Sequence, residues 1–414
     1  MDAFLIHGLV FLHRIEAPTA PALSTLAPGG DHDGREWQWD DSRRVDDAVD
    51  YVLRWRPGPS ASDELEIGLG GDSQLDLEQE VLLRRAFSDT IHLALRALSG
   101  GYSAAIYRVD AISSQPTGAR PLPFVVKFDS PRKIRQEFDA YWQHVNPSVP
   151  FHLRPLLDES RSIIGRRWGV LVSTFVTGAE SLADAAMRGQ AQLALYSLFD
   201  HATAVWHTNA QPLQGSLVDT LISCPGTRIN TAFSTSQRAI RWSSEGDNVD
   251  VAALIATLRG RSPTAYLAGT THGDLHAQNV HVRGGDAILM DFYSCGAQVP
   301  ALYDAAYLEV RTAFCMETRA HSGAEWEQAV NGLFTRPALT TVPPAVLAPT
   351  STRWLVNFSR QVRLFVMPMS SDREYAALVA WALLRHATFQ PPNDEHSEER
   401  RHALRIAGRL VAEL

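Results

Sequence analysis

The residues best suited to chemistry lie together in THGDLHAQNVHVRGGDAILMDFYSCG, residues 271–296. His272, Asp274 and Asn279 follow one another as His-x-Asp-x4-Asn, and an apolar run further on ends in Asp291-Phe292. Between them VHV-RGGD-AILM reads as a hairpin, because Gly284 and Gly285 supply the positive φ that a tight reversal wants. Such a hairpin brings Asn279 and Asp291, 12 residues apart in sequence, to the same end of paired strands, with Asp274 just before them. Two oxygen donors and a third carboxylate at one strand end suit a Mg²⁺ site with a neighbouring base, since Mg²⁺ prefers hard oxygen ligands and keeps positions open for phosphates. A His-x-Asp-x4-Asn match alone is only suggestive. The apolar strand ending in Asp-Phe, and a strand lysine upstream after a glycine turn, make the combination specific.

That lysine stands out against the composition. Of 38 basic side chains only Lys127 and Lys133 are lysine and the other 36 are arginine, a bias that fits codon usage. Lys127 falls in the apolar strand FVVKF. An ammonium is a compact point charge and a guanidinium a bulky fork. With 2 lysines among 38 cations, a lysine on this strand is informative in its own right.

The elements that must position these residues can be read along the chain. LEQEVLLRRAFSDTIHLALRAL, residues 77–98, is expected to be one long amphipathic helix running into the turn Ser99-Gly100-Gly101-Tyr102-Ser103. AAIYRVDAI alternates like a strand, and FVVKF is the next. A helix follows from Ser130, with Pro131 at its first position and Ile134, Phe138, Tyr141, Trp142 and Val145 as its buried stripe. FHLRPLL and WGVLVSTFV read as a second strand pair, and beyond Gly178 the character is helical, AQLALYSLFDHATAVWHT most clearly. The expectation is α+β: a strand-rich lobe carrying one helix, then a helix-rich lobe, with a cleft between them. Ahead of these, residues 1–75 read as an extension with a Pro/Gly-rich linker at 17–34 and a short helix at 41–56.

On these residues the chain resembles the aminoglycoside phosphotransferase and choline kinase branch of the protein-kinase-like superfamily. HGDLHAQNV resembles that branch's catalytic loop, ILMDF its metal-binding strand, LSGGYSAAIYRV its nucleotide loop, FVVKF its lysine strand and LVSTFVTG its hinge, while YDAAYLE with Asp304 is similar to the segment following the metal aspartate. The resemblance covers about residues 95–310. It implies a bilobal protein-kinase-like fold, with a small antiparallel-sheet N-lobe over 76–176 and a mainly helical C-lobe over 177–414. It also implies phosphotransfer from ATP with Mg²⁺. Asp274 would accept or orient the proton of the acceptor hydroxyl, and Asn279 and Asp291 would bind the metal. Lys127 would hold the α- and β-phosphates and pair with Glu137. Gly100, Gly101 and Ser103 would bring backbone N–H groups to the phosphates, and Thr174 and Val176 would line the adenine hinge. His272 would place the loop structurally, His276 would cap or face solvent, and Lys133 would be an early residue of the lysine-partner helix.

Departures narrow the branch. Gly273 stands where eukaryotic-type protein kinases carry an arginine, and no Ala-Pro-Glu segment follows Asp291, so control by activation-loop phosphorylation is not supported. A small-molecule acceptor, aminoglycoside-, choline- or sugar-like, is the first expectation. A kinase-like module acting on a protein, docked through the extension, and a nucleotide-binding domain without turnover stay open. The segment 211–270 and the helices from Trp354 onward would build the acceptor pocket. There Asp219, Glu245, Asp247, Asp250 and Glu309 would draw a cationic acceptor or form a solvated acidic face. Arg166-Arg167 and Arg400-Arg401 read as surface.

Composition agrees with a globular enzyme. The 414 residues exceed one ordinary core, and a net charge of −8 argues against a general nucleic-acid binder. Cys224, Cys295 and Cys315 form no CxxC pair, which excludes a disulfide framework and fits a reducing compartment. No stretch reaches the roughly 18 apolar residues of a membrane helix. Ala3–Val10 lacks a basic start and is interrupted by His7, so a cytoplasmic location is expected.

Overall fold

The computed structural model describes residues 59–71, 74–98, 104–113, 122–230, 233, 236, 239, 242, 243, 245, 246, 250–314, 323–342, 351–389 and 397–414. The expected linker at 17–34, the helix at 41–56, and Gly100, Gly101 and Ser103 lie outside the described residues. The chain divides into two units, 1–139 with 155–175 and 140–154 with 176–414. The architecture is α+β, with a mainly antiparallel sheet in the first unit and a mostly helical second unit.

In the first unit β1 (Glu66–Gly70), β2 (Thr90–Ala97), β3 (Ala105–Ser113), β4 (Leu122–Asp129), β5 (Ile163–Ile164) and β6 (Gly169–Thr174) form one sheet in the order β1-β2-β3-β4-β6-β5. Neighbours are antiparallel except β1 and β2. Parallel strands need a crossover connection, and α1 (Leu77–Ala86) supplies it. The helix expected from Leu77 to Leu98 is therefore two elements, α1 and β2. Its second half is rich in leucine and alanine, yet Leu93 and Leu95 are buried while Ala94 is half-buried and Arg96 exposed, a period of two, and a register shift between Thr90 and His92 leaves Ile91 47% exposed. Sheet packing overrides helix propensity there. β1 lies inside the 1–75 stretch read as an extension, and 140–154 groups with the second unit.

FHLRPLL is not a strand either: Phe151–Leu153 is a 3₁₀ turn, and Leu157 makes only a lone bridge to Ser173. Pro155 withholds the N–H that a ladder would use. Alternation along β4 sends Val126 and Phe128 into a core with Leu82, Leu93, Tyr107 and Val170, which turns Lys127 to the other face. α2 (Pro131–Ala140) opens on its proline. Its buried positions are Ile134, Glu137 and Ala140, continued by Tyr141 and Val145, whereas Trp142 is 38% exposed. The stripe is thus offset from the expected one and includes a carboxylate. A Cβ on Gly169 would lie 2.9 Å from Ile134, so glycine in β6 lets α2 approach the sheet.

The second unit holds two three-stranded sheets, β7 (Glu180–Ser181) with β10 (Val280–Arg283) and β11 (Asp286–Leu289), and β8 (Gln211–Gln214) with β9 (Ala265–Thr271) and β12 (Gly296–Pro300). Its helices are α3 (Leu182–Met187), α4 (Gln192–Ser197), α5 (Ala204–Thr208), α6 (Leu217–Ser223), α7 (Val251–Arg261), α8 (Tyr303–Phe314), α9 (Gly323–Leu333), α10 (Arg336–Leu339), α11 (Arg353–Val366), α12 (Asp372–Thr388) and α13 (Ser397–Glu413). α12 is buried on all sides from Glu374 to Leu384 and packs against α8 and α13. A helix apolar all round is a core helix. Among the described residues no helix is long and apolar enough to cross a membrane.

Of the charges expected at the surface of this unit, Asp219, Glu245 and Asp250 are exposed, whereas Glu309, Arg400 and Arg401 are buried. Glu309 is fully buried, taking hydrogen bonds from Arg363 at 2.5 Å and the Tyr375 hydroxyl at 2.6 Å. A carboxylate so enclosed draws no acceptor. Asp219 pairs with Arg259 at 2.9 Å, Asp250 caps α7, and Glu245 pairs with Arg401. Asp247 lies outside the described residues. Arg400 and Arg401 are 3% and 9% exposed. Arg400 donates to the carbonyls of His386 and Phe389 at the end of α12, groups the helix leaves without internal partners.

Candidate active site

The segment after β9 folds as a loop and hairpin. Val280 to Arg283 pair with Leu289 to Asp286, and Gly284 and Gly285 turn between them with φ of 62° and 96°. Positive φ at both positions is what a two-residue hairpin turn of this hand requires. Beyond the ladder, Met290 N–H donates to the Asn279 carbonyl at 2.9 Å, which sets Asp291 one residue past that link. Asp291 has φ 59°, a left-handed conformation that typically costs ~1–3 kcal/mol in a residue other than glycine. Strain of this kind persists where surrounding structure over-determines it.

The loop itself is held from behind. Asp304, buried at the start of α8, accepts the backbone N–H of His272 at 2.6 Å and of Gly273 at 2.9 Å. Burial raises the Asp304 carboxyl above its usual range, against the pull of His272 and these two N–H donors. The His272 Nε2 lies 2.8 Å from the Met290 carbonyl and must be its donor, because a carbonyl only accepts. His272 therefore ties the start of the loop to the end of β11. Gly273 has φ 76°, and a Cβ there would collide with the Ser294 carbonyl. An arginine at this position is sterically excluded.

Asp274 has a long-range partner. Arg385, near the end of α12, donates to Asp274 Oδ1 at 2.9 Å, to the Gly273 carbonyl at 3.0 Å and to the Tyr303 hydroxyl at 2.7 Å. Its guanidinium carbon sits 4.1 Å from the centre of the Tyr307 ring. Burial pushes the Asp274 carboxyl up, but Arg385, aided by His276, Arg311 and His272, prevails and holds it at about 2. His276 Nε2 is 3.9 Å from Asp274 Oδ2. Burial drives this imidazole down to about 4 despite the carboxylate, so it is neutral at pH 7.

Asn279 donates its side-chain amide N–H to the Asp274 carbonyl at 3.0 Å. That bond orients the amide, and the side-chain oxygen accepts no hydrogen bond among the described residues. This oxygen and the Asp291 carboxylate are both hard donors, the kind Mg²⁺ prefers. No cluster of three or more His, Cys, Asp or Glu side chains suited to a metal occurs among the described residues. Asp274, Asn279 and Asp291 thus share one loop and hairpin of the second unit.

In the first unit Lys127 Nζ donates to Glu137 Oε2 at 2.7 Å, with 14% and 7% of the two side chains exposed. β4 and α2 bring them together across ten residues. Lys133 is 3.2 Å from Asp129 Oδ2, one helical turn away. Thr174, at the exposed end of β6, accepts the Leu156 N–H through its hydroxyl at 2.9 Å, and Val176 is half-buried. Arg385 went unread in the sequence, and Tyr303 and Tyr307 were read only as part of YDAAYLE. Arg385 is one of 36 arginines and lies 111 residues beyond Asp274 with no motif around it.

Residues 94–340 match the family model described as the phosphotransferase enzyme family. No curated protein sequence matches the chain. Among solved structures, the chain is similar to the aminoglycoside phosphotransferase APH(4)-Ia in ternary complex with AMP-PNP and hygromycin B, at 14% identity, covering 77% of this chain and 93% of that one, TM-score 0.43. It is similar to a Plasmodium vivax ethanolamine kinase at 12% identity, covering 89% of each, TM-score 0.42. It is also similar to a glucosamine kinase at 14% identity, covering 78% of this chain and 93% of that one, TM-score 0.35.

Proposed function

The chain belongs to the phosphotransferase enzyme family, and from that premise we propose that it moves the γ-phosphate of ATP, with Mg²⁺, to a hydroxyl of a small molecule such as an aminoglycoside-, choline- or sugar-like alcohol. The observation that carries this reading is the geometry of residues 272–291. Asp274, Asn279 and Asp291 are held on one loop and hairpin by Asp304, His272 and Arg385. So much buried support around one part-exposed carboxylate suits a group that must keep its position during a reaction.

Asp274 is ionised at neutral pH and accepts the hydrogen bond of the acceptor hydroxyl, aiming that oxygen at the γ-phosphorus. The new P–O bond forms as the bond to the β–γ bridging oxygen breaks. ADP departs with that electron pair, and the hydroxyl proton passes to Asp274 or solvent. Asn279 and Asp291 would hold Mg²⁺, which would neutralise charge on the phosphate oxygens. Lys127 takes the α- and β-phosphates, and Glu137 fixes its ammonium in place. From the sequence alone, phosphate contact is assigned to Gly100, Gly101 and Ser103 and adenine contact to Thr174 and Val176.

Two assays test the reading. Mg-ATP at 100 times its dissociation constant adds about 2.7 kcal/mol to unfolding, so a nucleotide-dependent rise in melting temperature is expected. Labelled γ-phosphate should then appear on a hydroxyl compound in a panel of aminoglycosides, choline and sugars, and Asp274→Asn should abolish it. Absence of any nucleotide shift, or transfer undiminished in Asp274→Asn, refutes the assignment. Label confined to co-expressed protein would move the acceptor from small molecule to macromolecule.

A further inference from the structure

We propose that Arg385 is a positioning residue for Asp274: it holds one carboxylate oxygen and the preceding carbonyl from α12, so that the other oxygen is presented to the acceptor. This rests on the role given to Asp274 above. The guanidinium makes three directed bonds at once, with one terminal nitrogen on both the Gly273 carbonyl and the Tyr303 hydroxyl and the other on Asp274 Oδ1. Because it grips Gly273 backbone and Asp274 side chain together, it fixes the carboxylate relative to its own main chain. The Asn279 amide closes the other side by holding the Asp274 carbonyl. Asp274 Oδ2 has His276 Nε2 at 3.9 Å, beyond hydrogen-bonding distance.

The cradle is rigid by construction. α12 is buried around its whole circumference up to Leu384, and Tyr303 and Tyr307 stack at 5.7 Å on the adjoining face of α8. Arg385 lies against that stack, with its charge over Tyr307 and its hydrogen bond to Tyr303. A lysine has no planar fork and cannot serve three acceptors in these directions. Arg385 also lies outside the 94–340 segment that the family model matches, so the support for Asp274 comes from a part of the chain that the family model does not describe.

The test follows ATP hydrolysis with water as the acceptor, present in every assay, in Arg385→Ala, Arg385→Lys and Tyr303→Phe, each made in the wild-type and in the Asp274→Asn chain. Arg385→Ala should lower kcat on the order of 100-fold with KM for ATP within about twofold, since positioning acts on the transition state and leaves nucleotide binding alone. Arg385→Lys should recover less than about a tenth of the activity, and Tyr303→Phe should lose roughly fivefold. In the Asp274→Asn chain each substitution should cost less than about threefold, because residues acting through one group are not additive. Equal losses in both chains would mark a purely structural role and overturn the inference, as would full activity in Arg385→Ala beside an inactive Asp274→Asn. If Asp274→Asn keeps wild-type hydrolysis, the reading of Asp274 falls and the inference with it. Should Arg385→Ala not fold, judged by the absence of a nucleotide-dependent melting shift, Arg385→Lys and Tyr303→Phe decide by the same criterion.

Discussion

Lys127 with Glu137 and Asp274 with Arg385 answer the same physical demand at very different sequence separations, 10 residues against 111. A charge withdrawn from water needs a counter-charge with good geometry, or it shifts its pKa and neutralises. In the first unit a strand and the helix directly after it meet that demand, so the pair is assembled as soon as α2 docks on the sheet. In the second unit the partner arrives on a core helix near the end of the chain. Local pairing leaves a trace in sequence, a lysine on a strand and a glutamate on the next helix. Long-range pairing leaves none, because any arginine on any later helix would serve the motif equally well.

The largest expected effect on stability breaks the local pair. Glu137→Gln removes the carboxylate that Lys127 meets at 2.7 Å and should lower the unfolding free energy by about 3 kcal/mol, with Lys127→Met added to it restoring much of the loss. Denaturant melts of the single and double variants measure this. If the double variant is no better than the single, the pair is not the unit of support.

Glu374 supplies the contrast of a buried carboxylate that no cation pairs with among the described residues. It sits on the same helix as Arg385, 5% exposed, with Oε1 lacking any hydrogen-bond partner, and burial raises its pKa from 4.5 to about 7. The folded state therefore holds a proton that the unfolded state releases. Stability is full below about pH 4.5 and drains away as pH rises to about 7. Glu374→Gln should stabilise the protein by about 2–3 kcal/mol at pH 8 and leave it nearly unchanged at pH 4.5. Melting temperatures of both proteins at the two pH values check the sign, and an equal shift at both would show that Glu374 does not titrate in this range.

Smaller effects sharpen the picture of the loop. Asp304→Asn keeps one acceptor oxygen for the two N–H groups of His272 and Gly273 and should cost about 1–2 kcal/mol, with hydrogen exchange at those two amides speeding up more than elsewhere. Gly284→Ala forces a side chain to φ 62° and should cost about 1 kcal/mol. That loss should be visible in stability while leaving transfer unchanged, because the turn lies at the far end of the hairpin from Asn279 and Asp291.

What could be read in advance follows the same division. The hairpin, the positions of Asn279 and Asp291 beside it, the start of α2 at Pro131 and the lysine on β4 were all legible, since each depends on neighbours a few residues away. The helix expected over 77–98 failed because leucine and alanine favour helix locally, while the sheet needed Leu93 and Leu95 on one face. Trp142 was placed in a stripe that in fact runs through Glu137, a shift caused by the pairing of Glu137 with a strand lysine. Glu309, Arg400 and Arg401 looked like surface charges, because a sequence does not show that Arg363, Tyr375 or the carbonyls at the end of α12 will enclose them.

By itself the sequence determined the chemical vocabulary: which oxygens could hold a cation, which carboxylate could face a hydroxyl, which cation could meet phosphate, and the hairpin that gathers three of these. These follow from residue type and short-range geometry. Tertiary structure alone decided which of 36 arginines holds Asp274, that Asp304 serves two backbone amides, and that most of the acidic residues expected to meet an acceptor are already engaged. The physical reason is that burial and ion pairing are properties of packed surfaces, and the partner across such a surface is chosen by where helices dock.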